Sequence, residues 1–443
     1  MAPNSEIPKE HRVQRPGLWL PEDHRTHQQW LEKTVKHVDN NPKDLHPVVK
    51  EFQSLIEGST RIYQLAVGMY DDIPKKKPYN MDPSGKMTIR GYQHMLQVLN
   101  HLLSTAPSWS EHSHEVGLVG LPTYALFDWP MGTTSGFAFF LDPEVNAMLK
   151  KILNVWGEYL TSPESAACLD DSSGGWFSDT GRTDLTQVAN LNAPKEKQKP
   201  FEELFQCDPK AKYHGYTSWD SFFTREFNWE HRPVASPDDK NVVVNSCEST
   251  PYRLAHDVSR RDKFWIKGMP YSVIDILRFD DMADQFVGGT IYQAFLSALS
   301  YHRWHVPAAG KVTKVRHVDG TYYSEPLFET FAERGQADEE GESDAQAYLS
   351  ASAARALIFI EADNPAIGLY CVVQIGMSEV SSCDVTVKED QHVEKGDQLG
   401  MFHFGGSTHL VMFRKGVKVS GFPEVGKVTT NWPVREKLCV VEG

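Results

Sequence analysis

The apolar pattern of this chain changes once, near residue 234, and that change limits the fold more than any single motif does. Before it, apolar residues recur at helical spacing. "VVKEFQSLI" puts Val48, Val49, Phe52, Leu55 and Ile56 on one face. Ile62, Leu65, Ala66, Met69, Tyr70 and Ile73 repeat the pattern, and Tyr92, Met95, Leu96, Leu99, Leu102 and Leu103 repeat it again. In "LDPEVNAMLKKILNVWGEYL", Asp142 stands as N-cap and Pro143 opens the helix. Val145, Met148, Leu149, Ile152, Leu153 and Trp156 form its apolar stripe. After the change come short β-branched runs bounded by turn residues: "KNVVVNSCEST", "KVTKVRHV", "ALIFIEA", "LYCVVQIG" and "DVTVKED". The expected fold class is α+β. A helical N-terminal unit spans 1–200 and a mostly antiparallel β unit spans 201–443, joined at the polar stretch "NAPKEKQKP" (192–200). The acidic insertion at 333–347 is expected to be a solvated or disordered loop.

Charge and cysteine usage narrow the function classes. A net charge of -14 makes a general nucleic-acid surface unfavourable, and attraction to anionic lipid likewise. The six cysteines form no CxxC pair, which argues against a zinc ribbon and for reduced thiols in a cytoplasmic protein. No metal site is expected. No run reaches the roughly 20 apolar residues of a membrane span, so stable membrane insertion is not expected. The opening "MAPNSEIPKEHR" has no apolar core of a signal peptide.

Three stretches carry groups able to do chemistry. "YHRWHVP" holds His302 and His305, three apart. They read as one buried and one exposed histidine, as a metal pair lacking a third ligand, or as an acid/base pair near neutral pH. "NSCESTPY" places Glu248 just after an apolar run, either as a solvated turn residue or as the carboxylate that orients a histidine. "FHFGGSTHL" breaks an apolar run at Gly405-Gly406 and presents Ser407 at once. It reads as an ordinary turn of common loop composition, as a phosphate-cradling loop lacking the GxxxxGK(S/T) pattern, or as a site where glycine conformations aim Ser407 Oγ at the Gly406 carbonyl.

These pieces, in this order, resemble the phosphatidylserine decarboxylase family of pyruvoyl enzymes. The resemblance runs from about 213 to 425 through "WDSFFTREF" with "RPV", "YHRWHVP", "QIGMSEVSSCDVTV" and "KGDQLGMFHFGGSTHL". The N-terminal half, through "GLPTYALFDWPMGTTSGFAFFLDPEVNAMLKKILNVWGEYL", is similar to the helical extension of fungal L-tryptophan decarboxylases of the psilocybin-pathway type. The resemblance implies self-cleavage between Gly406 and Ser407, with Ser407 becoming a covalent pyruvoyl group that serves as cofactor. It implies His305 as the base that activates Ser407, His302 as a residue of the decarboxylation step, and Glu248 in place of the family's usual triad aspartate. A homodimer is also implied.

The chemistry asks for such a group. Loss of carbon dioxide from an α-amino acid leaves a carbanion, and acid–base catalysis alone supplies only about 10²–10⁴-fold. Enzymes generally need an electron sink for this step, and no lysine sits in a convincing pyridoxal context. The expected substrate is a small aromatic L-amino acid, tryptophan first. Phosphatidylserine is the alternative within the enzyme class, and an unprocessed scaffold is the alternative outside it. Tyr124, Phe127, Trp129, Phe137 and Phe140 are expected to be mostly core, with a ring-binding pocket as the second reading.

Overall fold

The computed structural model describes residues 24–75, 87–107, 109, 122–262, 271–296, 298–324, 326, 346–379, 382–404, 407–426 and 431–442. The first half is helical: α1 (His24–Asn40), α2 (Pro47–Gly58), α3 (Thr60–Asp71), α4 (Tyr92–Leu102), α5 (Pro122–Met131), α6 (Thr134–Leu141), α7 (Pro143–Thr161) and α8 (Asp179–Asn190). The start of α7 follows from its sequence. The Asp142 carboxylate accepts from the amides of Glu144 and Val145, and Pro143 lies where its missing N–H costs nothing. All six residues of the expected α7 stripe are buried. The polar stretch 192–200 is largely exposed and carries one short turn at Lys195–Lys197. Two short helices, α9 (Phe201–Leu204) and α10 (Trp219–Phe223), lead into the strands.

The second half forms strands β1 (Val242–Val244), β2 (Thr250–Ala255), β3 (Thr290–Leu296), β4 (Arg303–His305), β5 (Gly310–Val318), β6 (Arg355–Ala362), β7 (Leu369–Gly376), β8 (Ser382–Val385), β9 (His392–Val393), β10 (Gln398–His403), β11 (Ser407–Phe413), β12 (Val419–Ser420) and β13 (Lys437–Val441). Helices α11 (Val273–Ile276) and α12 (Gln346–Ser352) interrupt them. A seven-stranded antiparallel sheet has the order β2-β3-β11-β7-β6-β5-β9. Two three-stranded sheets, β4-β10-β8 and β1-β13-β12, complete the β part.

Both faces of the large sheet are covered. On one, Tyr292, Leu296, Val372, Val411 and Phe413 join a core shared with Phe127, Phe140 and Trp156 of the helices. On the other, Phe295, Val373, Ile375, Leu410 and Met412 pack with Ile274 of α11 and Leu349 of α12. Strands buried on two faces read as continuous apolar runs, which is why "LYCVVQIG" shows no alternation: every residue of β7 is buried. The last two residues of the acidic insertion depart from expectation. Gln346 and Ala347 are the buried opening of α12, and Gln346 Oε1 accepts from Gln293 Nε2 at 3.2 Å. The remainder of that insertion, 333–345, lies outside the described residues. Among the described residues, no helix is long and apolar enough to cross a membrane.

Candidate active site

Ser407 opens β11 in the middle of the large sheet, opposite Leu296 of β3 and Gly376 of β7. It is buried, and its Oγ has no hydrogen-bond partner among the described residues. Leaving a buried hydroxyl unpaired costs about 1–3 kcal/mol, so the position calls for a reason. Three residues earlier, Phe404 has a positive φ of 48°, a strained conformation for an aromatic residue. Its ring is packed edge-on against Trp156 of α7 at 5.5 Å and lies over Gly157. The helical half therefore presses on the backbone that leads into Ser407. Gly405 and Gly406, where cleavage is expected, lie outside the described residues.

The two histidines of "YHRWHVP" are both buried, so the reading with one of them exposed fails. Their strand β4 pairs with β10: the Phe402 amide donates to the His302 carbonyl at 3.0 Å, while His305 stands opposite Gln398. Four residues of β10 separate these two points, about 13 Å of strand. His302 thus lies toward the turn before Ser407 and His305 away from it. The His302 ring stacks on Phe223 at 3.9 Å. Burial, and then the Arg225 guanidinium, hold its pKa well below the usual imidazole range. His305 has Nδ1 at 2.9 Å from the Gly396 carbonyl and Nε2 at 2.8 Å from the Tyr301 hydroxyl. A carbonyl can only accept, so Nδ1 carries the proton and Nε2 accepts from Tyr301. Burial, and then Arg435, push the His305 pKa down to about 3.

Glu248 is neither a solvated turn residue nor a direct partner of His305. It is buried, and its two oxygens accept from Arg232 Nη2 at 2.7 Å and Arg232 Nε at 3.1 Å. The Val434 amide adds a bond at 2.7 Å and Asn431 Nδ2 one at 3.4 Å. The physical reason is charge: a buried guanidinium takes a carboxylate in a bidentate fork ahead of a neutral imidazole. The Gly396 carbonyl occupies the place at Nδ1 where Glu248 was expected.

Two further groups stand near Ser407 that the motifs did not single out. His409 follows by two residues and so shares its face of β11. Its Nε2 is 3.1 Å from Ser249 Oγ, and burial pushes its pKa down to about 3. Strand alternation within "STHL" was the available signal. Glu379 lies three residues beyond Gly376 and is fully buried. Its Oε1 accepts from the amide of Thr123 and, at 2.9 Å, from that of Tyr124, both in the first turn of α5. Burial pushes its carboxyl up to about 7 in spite of those two amides, its own amide and the Thr123 hydroxyl, which all pull it down. Only its place after an apolar run hinted at it. Of the five aromatics weighed for a pocket, Tyr124, Phe127, Trp129 and Phe140 are buried and Phe137 is partly so. Phe127 packs against Phe140 at 5.1 Å and Tyr323 at 4.8 Å, as core residues do. The site as a whole offers a buried hydroxyl, neutral imidazoles and one carboxyl poised near neutrality.

Comparisons with known proteins converge on one family. Two family models, both described as phosphatidylserine decarboxylase, match residues 46–185 and 219–430. The chain is 44% identical to decarboxylase iboD of Amanita muscaria over 69% of its own length and 87% of that protein. It is 33% identical to the L-tryptophan decarboxylase of Psilocybe cyanescens, covering 96% of this chain and 94% of the relative. Phosphatidylserine decarboxylase proenzyme 3 of Schizosaccharomyces pombe is 30% identical over 49% of this chain and 21% of its own.

Proposed function

This chain belongs to the phosphatidylserine decarboxylase family and is a decarboxylase, and from that premise we propose that it processes itself into a pyruvoyl enzyme acting on an aromatic L-amino acid, tryptophan first. The observation that carries the reading is Ser407: a buried hydroxyl without a partner among the described residues, at the head of a central strand. A pyruvoyl group needs such a serine as its precursor, and the chain fits it. The same reading takes 1–200 and 201–443 as the two units and places catalysis in the cytoplasm.

In the proposed maturation His305 Nε2 takes the Ser407 proton, by way of the Tyr301 hydroxyl it now holds. Ser407 Oγ bonds to the Gly406 carbonyl carbon, the C–N bond breaks, and the freed nitrogen takes the proton. The α-proton of residue 407 is then removed and the Oγ–Cβ bond breaks, so Gly406 departs as a carboxylate and residue 407 is left as dehydroalanine. Water replaces its nitrogen, which leaves as ammonia. The resulting ketone supplies an electron sink for the pair left at Cα when carbon dioxide departs. His302 is proposed to act in that decarboxylation, and Glu248 to position the C-terminal segment through Arg232, Asn431 and Val434.

Cutting the backbone would not release residues 407–443. β11 is held between β3 and β7, and β13 between β1 and β12. The substrate reading is supported by coverage: the L-tryptophan decarboxylases align with 96% and 93% of this chain, the phosphatidylserine decarboxylase proenzymes of yeasts with 49% and 48%. An intact-mass spectrum tests the first part, with two chains expected and one unbroken chain refuting it. Incubation with tryptophan, phenylalanine, tyrosine and phosphatidylserine tests the second, tryptamine being the expected amine.

A further inference from the structure

Decarboxylation makes one further demand: a proton must reach Cα as carbon dioxide departs, and His302 is the first candidate to carry it. The buried imidazoles of the site are nonetheless poor sources. His302 is held well below the usual range, and His305 and His409 at about 3, so each is neutral at physiological pH. A neutral imidazole N–H is a very weak acid.

Resting on the decarboxylase reading above, we propose that Glu379 delivers this proton from Oε2, the oxygen that its anchorage leaves free. Three observations place it there. Gly376 is the direct partner of Ser407 across β7 and β11, and Glu379 follows by three residues. That limits the two Cα atoms to within about 16 Å: up to about 11 Å of chain and about 5 Å between strands. Second, both groups lie on the helical side of the large sheet. Ser407 shares its face with Val411 and Phe413, which belong to the core shared with the helices, and Glu379 is bonded to the amides that open α5. Third, the carboxyl is divided in function. Oε1 is fixed by two α5 amides, whereas Oε2 has no hydrogen-bond partner among the described residues.

The neighbours suit a proton donor. Tyr323, from the segment before the insertion, faces it, and burial with the Glu379 charge drives that phenol well above its usual range, so it stays neutral. Tyr124 meets it from α5 through its backbone amide. The carboxyl near 7 retains a large acid fraction at working pH, the condition for efficient general acid catalysis. In the step, the Cα–carboxylate bond breaks, its electron pair stays on the substrate, and the Oε2–H bond then gives its proton to Cα. The charge left on Glu379 falls on the amino end of α5, a favourable place for an anion. Water restores the proton, one for each carbon dioxide released.

Glu379→Gln keeps an acceptor for the α5 amides and has no acidic proton to give. It is expected to mature to the 407–443 fragment, with kcat lowered about 100-fold or more and KM little changed. Turnover within threefold of wild type would leave Glu379 a helix cap only. Should that variant fail to fold, wild type decides: its kcat is expected to fall as pH rises through about 7, and a rate flat from about pH 6 to 8 overturns the proposal. Infrared titration of the inactive Ser407→Ala protein supplies a readout apart from turnover. A buried carboxyl band should disappear near neutrality, and its absence above about pH 5 also overturns the proposal. The assay uses whichever of the four substrates gives amine with wild type, so a wrong substrate does not count against Glu379. A wild type that stays full-length refutes the self-processing reading instead.

Discussion

Two buried polar clusters in the β half are built in opposite ways. At the corner of Glu248, Arg232 and His305, each of these side chains is met: carboxylate by guanidinium, imidazole by a carbonyl and a phenol. At the end of the large sheet, Ser407 Oγ and Glu379 Oε2 are left without partners among the described residues. Satisfied networks rigidify, whereas an unsatisfied buried group calls for an explanation. In the corner, Glu248 with Arg232 braces the C-terminal segment, while His305 is the base proposed for maturation. The sheet end is where reaction is expected.

Removing Ser407 breaks the comparison most completely. Ser407→Ala is expected to give one full-length band on a denaturing gel and no amine, with thermal stability at or above wild type, because a costly hydroxyl is gone. A variant that still splits would move the reactive group elsewhere. Glu248→Gln tests the other cluster and should do the reverse: it leaves Arg232 buried without a counter-charge, at about 3–5 kcal/mol of stability. A Glu248→Gln protein as stable as wild type would show that the corner braces nothing.

Titration separates the clusters more gently. His305 and His409 have lowered pKa values, so the unfolded chain binds protons first, and their contribution is present above about 6.5 and lost as pH falls toward about 3. Glu379 has a raised pKa, so its contribution is present below about 4.5 and lost as pH rises through about 7. Glu379→Gln should therefore flatten only the neutral side of the stability–pH curve. The expected change between pH 5 and 8 is up to about 3 kcal/mol, at about 1.4 kcal/mol per pKa unit. An unchanged slope would mean that the carboxyl is ionised throughout.

Ser407 was legible through the resemblance that the ordered motifs carry, since Gly-Gly-Ser-Thr alone is common loop composition. The α7 stripe and its Asp142 cap were legible directly, since helix periodicity and capping act within a few residues. The partner of Glu248 was not. Arg232 lies 16 residues earlier in an unremarkable "HRPV", and only folding brings the two together. Glu379 was hidden because its anchor is 256 residues away, in the first turn of α5. Pairings set by tertiary contact leave no spacing to read.

The contact between halves offers the smallest and sharpest test. A Cβ at Gly157 would lie 2.6 Å from Cζ of Phe404, nearer than carbon atoms approach. Gly157→Ala must therefore shift the ring, and overpacking of this kind costs about 1–3 kcal/mol. If strain at Phe404 helps aim the backbone before Ser407, the variant should mature several-fold more slowly, as followed by the appearance of the 407–443 fragment. Phe404→Ala in the same chain removes the clash but opens a cavity worth about 3–5 kcal/mol, and the rate should stay low because the packed ring that held the positive φ is gone. Stability loss in Gly157→Ala with maturation at the wild-type rate would confine α7 to packing and leave the sheet end to position Ser407 without it.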